Sequence, residues 1–282
     1  MKPQSPKRVV LLGGSGFIGQ QISRNILFEA HEVLSLNSTD LDLRVPDSVT
    51  KLKNILRKSD VVIFLSALTP NKGKDVGTFL NNILMMKHFI DALKNCPVAH
   101  LIYFSSDAVY GFERSYLSEE SPVAPSDLYG AMHLSREVML RELTDIPYVT
   151  LRVTMVYGNG DTHFAYGPNK FYQSAVQKKT IELFGNGEEL RDYIHVEDVA
   201  EITKRVVMMK STGILNVASG ESISFKDIAN LIITNIPQPI VVKNAKRINK
   251  ITHRHYDITN LLKAFPLISL KSHSNGIVKY HG

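Results

Sequence analysis

Arg8-Val9-Val10-Leu11-Leu12-Gly13-Gly14-Ser15-Gly16-Phe17-Ile18-Gly19 is the stretch whose reading decides the fold. After Arg8 it is a continuous apolar run, the pattern of a strand covered on both faces of a parallel sheet. Ile18, Ile22, Ile26 and Leu27 then recur at helical spacing, which predicts a helix over residues 17–28. Between the two lies a glycine-rich turn. In that context Gly13 allows the tight turn, Gly16 lets backbone N–H groups approach a pyrophosphate, and Gly19 lets helix pack closely on strand. Ser15, Phe17 and Ile18 complete the candidate cradle, and the helix N-terminus adds the positive end of its dipole.

Outward from this unit the pattern repeats. Strands are expected at 31–36, 60–66, 100–105 and 148–154, with helices at 79–94 and 129–143. Such alternation predicts an α/β, doubly wound parallel sheet. Beyond Gly158 the regularity breaks. A helix is expected over 171–178, a strand over 180–184, a helix over 198–209 and a strand over 213–218. A helix over 224–233 follows, capped by Ser222 or Ser224. The expected organisation is a dinucleotide-binding domain over 1–158. A smaller lobe, mostly substrate-binding, covers 159–282 and is interleaved with the main sheet.

The chain has 282 residues, 44% of them apolar, enough for a sizeable core. The longest uncharged apolar stretch, 61–68, falls far short of the roughly 20 residues that cross a bilayer. No small-residue cleavage site follows an apolar segment, so neither a secretory signal nor a membrane partner is expected. Cys96 is the single cysteine, which excludes an internal disulfide and suits a reducing cytoplasm. A net charge of +6 suits an anionic small molecule. No Lys/Arg run reaches five residues, which argues against nucleic acid. His253-Arg254-His255 lacks a third ligand nearby, so no metal site is read there.

Five segments carry a family resemblance. Gly13, Gly16 and Gly19 stand three residues apart. Ser105-Ser106-Asp107-Ala108-Val109-Tyr110-Gly111 follows a strand, and Tyr129-Gly130-Ala131-Met132-His133 opens a helix. Leu151-Arg152-Val153-Thr154-Met155-Val156-Tyr157-Gly158 is the fourth. Gly185-Asn186-Gly187 with Arg191-Asp192-Tyr193-Ile194-His195-Val196-Glu197-Asp198-Val199-Ala200 is the fifth and most specific. Together, from Arg8 to about Pro266, the chain resembles the extended short-chain dehydrogenase/reductases, in particular the NAD-dependent epimerase/dehydratase family that modifies nucleotide sugars.

That resemblance implies a Rossmann-type sheet with a smaller C-terminal substrate-binding lobe, NAD or NADP as cofactor, a nucleotide-sugar substrate and a homodimer. Tyr129 would be the base, with Ser106 bonded to the same substrate oxygen. His133 stands where the family has a lysine that holds the nicotinamide ribose and lowers the tyrosine pKa by its charge. Asn37 and Ser38 replace the acid that binds the adenosine ribose. Asp42-Leu43 resembles the pair that contacts adenine, and Ser66-Ala67-Leu68 the segment lining the diphosphate side. Arg191 would grip the substrate diphosphate as a bidentate donor. Asp107, Asn169 and Lys170 are candidates for sugar or phosphate contact, in part through the loop at 166–171. Asp198 is expected to cap the helix after it, and His195 to be structural.

The implied function is an NAD(P)-dependent nucleotide-sugar epimerase or 4-ketoreductase for surface polysaccharide. Dehydratases of the family place a second acid after Asp107, and here that position is Ala108. Two alternatives follow from other features. His133 in place of lysine suits a nucleotide-binding regulatory protein with weakened or lost redox catalysis. An RNA-binding member of the fold would show strongly salt-dependent affinity.

Overall fold

The computed structural model describes residues 4–26, 29–161 and 167–279. The chain runs β1 (Arg8–Leu12), α1 (Phe17–Ile26), β2 (Glu32–Leu36), α2 (Asp47–Ile55), β3 (Val61–Phe64), α3 (Val76–Asn95) and β4 (His100–Ser106). A 3-10 turn over Asp107–Tyr110 leads to β5 (Tyr116–Leu117), α4 (Leu128–Met139), β6 (Tyr148–Val153) and β7 (Met155–Tyr157). Then come α5 (Pro168–Lys178), β8 (Thr180–Phe184), β9 (Leu190–His195), α6 (Val196–Met209) and β10 (Gly213–Val217). The chain closes with β11 (Ser222–Ser224), α7 (Phe225–Thr234), β12 (Val241–Ala245), β13 (His255–Tyr256), α8 (Thr259–Ala264) and α9 (His273–Lys279).

Six strands form one parallel sheet in the order β10-β6-β4-β3-β1-β2. Strands β1, β3 and β4 are buried along their whole length, while edge strand β2 is not. Their unbroken apolar runs follow from having both faces covered. One face packs on α1 and α6 through Ile22, Ile26, Val199 and Val206. The other packs on α2 and α3 through Leu52, Met86 and Phe89. Each such side chain contributes about 1.5–3 kcal/mol of burial. Strand β10 comes from the second half of the chain yet joins this sheet. The same half forms a three-stranded sheet, β11-β9-β7, and a separate apolar cluster with Phe171, Ile181 and Ile228.

Several sequence expectations shift. Helix α4 ends at Met139, and a 3-10 turn covers Leu140–Glu142. Helix α5 starts earlier than expected, at Pro168, where the fixed proline φ suits a first helical position. Ser224, not Ser222, caps α7, its hydroxyl accepting from Asp227 N at 3.0 Å. The expectation that Asp198 caps its helix is wrong. His195 is the cap, its Nδ1 accepting from Glu197 N at 3.3 Å. Asp198 lies in the first turn and accepts instead from the Lys271 backbone at 2.9 Å, tying down the C-terminal segment. The expected extension of α1 to Phe28, and Tyr166, lie outside the described residues.

Arg8 at the head of β1 is a charged residue in a buried strand. Its guanidinium forms a fork with Asp60 at 2.8 and 2.6 Å and donates to Ile55 O at 2.7 Å, with Glu32 at 3.6 Å. The pair binds β1 to the turn that starts β3. We predict that Asp60→Ala, which strands the Arg8 charge, costs about 3–5 kcal/mol in urea unfolding. Arg8→Met combined with Asp60→Leu is expected to cost much less. Equal losses in the two variants would contradict this.

Candidate active site

The carboxyl ends of β1, β3 and β4 lie side by side, and the sequence motifs sit on the turns that leave them. Gly13 has φ +92°, and a Cβ there would stand 2.9 Å from Ser66 N. A Cβ on Gly19 would stand 2.7 Å from both Gly13 O and Gly14 Cα. These two glycines answer to the protein's own packing. Gly16 does not, for a Cβ there would meet only Gly13 O, at 3.4 Å. Its open side is what a ligand backbone needs for close approach. Helix α1 carries no acidic residue in its first turn, so its positive end is left for an anion. The loop therefore fits a dinucleotide pyrophosphate.

The adenosine end is less open. Asn37 turns its Oδ1 onto Thr39 N at 2.7 Å, closing a local turn. Asp42 is held by Arg44, with Oδ1–Nε at 2.9 Å and Oδ2–Nη2 at 2.7 Å. That pairing keeps the Asp42 carboxyl below its ordinary range. Leu43 is buried, and its carbonyl faces His88 Nδ1 at 2.8 Å. The Ser66 carbonyl accepts from Arg136 at 2.9 Å, and Ala67 is half-buried beside it.

Tyr129 stands in the first turn of α4, opened by the Asp127 cap. It lines a cavity of about 140 Å³ with Leu68, Lys74, Asp75, Asn82 and Met132. Burial pushes its phenol up to about 12, and the Asp107 carboxylate adds to the rise. The Ser106 hydroxyl, by hydrogen bonding, and the Arg136 guanidinium pull it down. Ser106 caps the 3-10 turn, accepting from Ala108 N at 3.2 Å, and donates to Asp107 Oδ1 at 3.3 Å. The other Asp107 oxygen accepts from the Tyr256 phenol, carried in from β13. Tyr129, Ser106 and Asp107 thus lie near enough to act on one another.

His133 lies one turn after Tyr129, is 3% exposed, and meets the Tyr129 ring edge-on at 4.7 Å. Its Nδ1 is 2.8 Å from the Tyr103 hydroxyl, and its Nε2 is buried with no partner. Burial, with Arg136 near, pushes the imidazole down to about 3. The ring is therefore neutral. Burial also raises the Tyr103 phenol, which therefore keeps its proton. With that phenol as the donor to Nδ1, the single imidazole proton is assigned to Nε2.

Two predicted substrate residues are already engaged. Arg191 donates to Thr252 O and, at 2.9 Å, to Thr252 Oγ1, with Glu189 at 3.5 Å and the Phe225 ring at 5.9 Å. Asn169 lies in a helix and not in the loop expected there. It is buried in α5, accepting from Gly158 N at 3.3 Å and donating to Asp161. Lys170, next to it, is exposed. Three residues at the site escaped the sequence reading. Arg136 carries a signal, a charge seven residues after Tyr129 on the same helix face. Tyr103 reads as core, and Tyr256 has no local signal at all.

The NAD dependent epimerase/dehydratase family model matches residues 9–218. The chain is 27% identical over 267 residues to a GDP-6-deoxy-D-talose 4-dehydrogenase from Aggregatibacter actinomycetemcomitans, covering 90% of this chain and 87% of that protein. It superposes with a TM-score of 0.85 on a UDP-N-acetylglucosamine 4-epimerase from Methanobrevibacter ruminantium, solved with UDP-N-acetylmuramic acid. That match is 25% identical and covers 98% of this chain and 97% of the other. A UDP-glucose 4-epimerase from Thermus thermophilus, in complex with NAD, gives a TM-score of 0.81 at 22% identity, over 97% of each chain.

The low His133 pKa sets a sign for stability. Between the unfolded value of 6.5 and the folded value of about 3, the unfolded chain binds the proton and the native chain does not. Stability from this site is present above 6.5 and falls with pH through that window. Asp192, raised to about 6 by burial, acts in the opposite sense. Comparison with His133→Gln, which keeps an acceptor for Tyr103, isolates the histidine. We predict that the variant gains relative to the wild type between about pH 7 and about pH 4.5 in urea unfolding. Parallel curves would contradict it.

Proposed function

Because the chain belongs to the NAD dependent epimerase/dehydratase family, we propose that it is an NAD(P)-dependent enzyme that oxidises and reduces a carbon of a nucleotide-linked sugar. The reaction is an epimerisation or a 4-ketoreduction, supplying a precursor of surface polysaccharide. The observation that carries this reading is the meeting of Tyr129, Ser106 and Asp107 beside a glycine loop that leaves Gly16 open. The names of the similar proteins, one a dehydrogenase and two epimerases, support it.

Tyr129 takes the proton of the sugar hydroxyl when that carbon is oxidised and returns it when the carbon is reduced. Ser106 hydrogen-bonds the same oxygen and fixes its direction. Bound NAD(P) supplies the hydride acceptor and donor. The glycine loop with Ser15, Phe17 and Ile18 holds its pyrophosphate, and Ser66 and Ala67 line the diphosphate side. Asn37, Asp42 and Leu43 face its adenosine. His133 offers its Nε2 proton to the ribose. Asp107, held as an acceptor by the Tyr256 phenol, orients the sugar, and Asn169 shapes its pocket. Arg191 meets the substrate diphosphate by leaving Thr252. Ala108 provides no second acid, which favours epimerisation or reduction over water loss.

The neutral, buried His133 is the observation behind a second reading, a nucleotide-binding regulatory protein without turnover. The first reading predicts that Tyr129→Phe lowers turnover about 10²–10⁴-fold across UDP-, GDP- and dTDP-sugars while cofactor affinity holds. Cofactor binding with no turnover of any sugar nucleotide by the wild type would favour the second.

We also propose a cytoplasmic homodimer. Among the described residues no helix is long and apolar enough to cross a membrane. Val76, Leu80 and Leu84 form an exposed stripe along α3 at 61%, 52% and 40%. Such a stripe is a natural contact between two copies. Leu80→Asp with Leu84→Asp is expected to halve the mass seen by light scattering. An unchanged mass would move the interface elsewhere.

A further inference from the structure

A half-buried phenol ionises readily only if its surroundings favour the anion, and the charges around Tyr129 mostly do not. Asp107 faces it from the 3-10 turn, and Asp127 from the start of its own helix. Asp75 and Lys74 line its cavity from the segment before α3, and both are exposed to screening solvent. Tyr103 on β4 is a neutral phenol, and His133 is a neutral imidazole. One further charge remains. Arg136 is 1% exposed, seven residues after Tyr129 on the inner face of α4.

The Arg136 guanidinium is held rigidly. It donates to Asn82 O at 3.0 and 2.6 Å, to Asn82 Oδ1 at 3.1 Å and to Ser66 O at 2.9 Å. It also lies 5.4 Å from the centre of the Phe64 ring. All these partners are uncharged. No carboxylate among the described residues pairs with Arg136, in contrast to the Arg8–Asp60 and Arg152–Glu137 pairs. A guanidinium keeps its proton when buried, and an uncancelled charge acts strongly through a weakly polarisable interior.

We propose that Arg136 is the fixed cation that lets the Tyr129 phenol ionise, so that the charge and the ribose donor are supplied by two residues, Arg136 and His133. The inference rests on the reading of Tyr129 as the base. Arg136 acts through Tyr129 and is a positioning residue, not a catalytic one. Burial keeps the His133 ring neutral, and the same charge adds to it by disfavouring a proton there. Adding a second cation by His133→Lys is therefore a poor repair in the wild-type background, and a good one once Arg136 is gone.

The test is direct titration. Site-specific 3,5-difluorotyrosine at position 129 lowers the phenol's ionisation into the mildly alkaline range, where it can be titrated, and its ¹⁹F shift reports it. We expect Arg136→Met to raise that titration by about one unit, Arg136→Lys to restore most of the difference, and His133→Lys in the Arg136→Met background to lower it again. Should the methionine variant not fold, Arg136→Gln, which still donates to the Asn82 carbonyl, carries the same measurement. Lys74→Met is expected to leave the titration in place. An unmoved titration in the Met and Gln variants overturns the proposal, as does a shift of the full size from Lys74→Met. Full turnover by Tyr129→Phe would instead sink the reading of Tyr129 as base, a separate failure from one at Arg136.

Discussion

A hydrogen bond of 2.8 Å between the Tyr103 hydroxyl and His133 Nδ1 ties the inner face of α4 to the middle of the parallel sheet. Tyr103 is 0% exposed and sits on β4, three residues before Ser106. The bond therefore sets how Tyr129, one turn before His133, stands relative to Ser106. It also decides chemistry. A protonated phenol on Nδ1 sends the imidazole proton to Nε2, so the ring presents a donor without carrying a charge. The open side of Gly16 is a feature of the crevice that the protein's own packing does not explain, and His133 Nε2 is a buried atom without a partner. The first suits a bound dinucleotide.

The site is assembled from distant parts of the chain. The glycine loop leaves β1, Ser106 leaves β4, Tyr129 opens α4, and Tyr256 arrives on β13 from 149 positions beyond Asp107. Charges on this frame are handled in two ways. Arg152 and Glu137 pair at 2.8 Å inside the protein, and Ser105 donates to the same carboxylate at 2.6 Å. This network lies behind the strand ends and holds β4, β6 and α4 together. Arg136 is solvated by carbonyls, an amide oxygen, the Met85 sulfur, the Tyr103 phenol and a ring, with no carboxylate paired to it among the described residues, an arrangement that is costly unless its field has a use.

The main sheet was legible because both of its faces are covered, which writes unbroken apolar runs such as 8–12 and 61–64 into the sequence. The glycine turn was legible because close backbone approach admits no other residue at Gly13 and Gly19. Tyr129, Ser106 and Asp107 could be grouped from the sequence because a motif on one strand end and one on one helix start must converge in this topology. Tyr256 was not, since a long-range contact leaves no periodic trace. The Asp198 expectation failed because an acid near a helix start can serve a distant backbone N–H as readily as its own. Arg191 was assigned from its motif, which says nothing of Thr252, a partner 61 residues away.

In the proposed mechanism Tyr129 faces a nicotinamide held by the glycine loop. A crystal structure of the protein grown with NAD⁺ tests it most directly. The account predicts pyrophosphate oxygens over Gly16, a ribose hydroxyl on His133 Nε2 and the nicotinamide within contact of the Tyr129 hydroxyl. Dinucleotide bound elsewhere, or a Tyr129 oxygen turned away from the ring with His133 Nε2 still unpartnered, would contradict it.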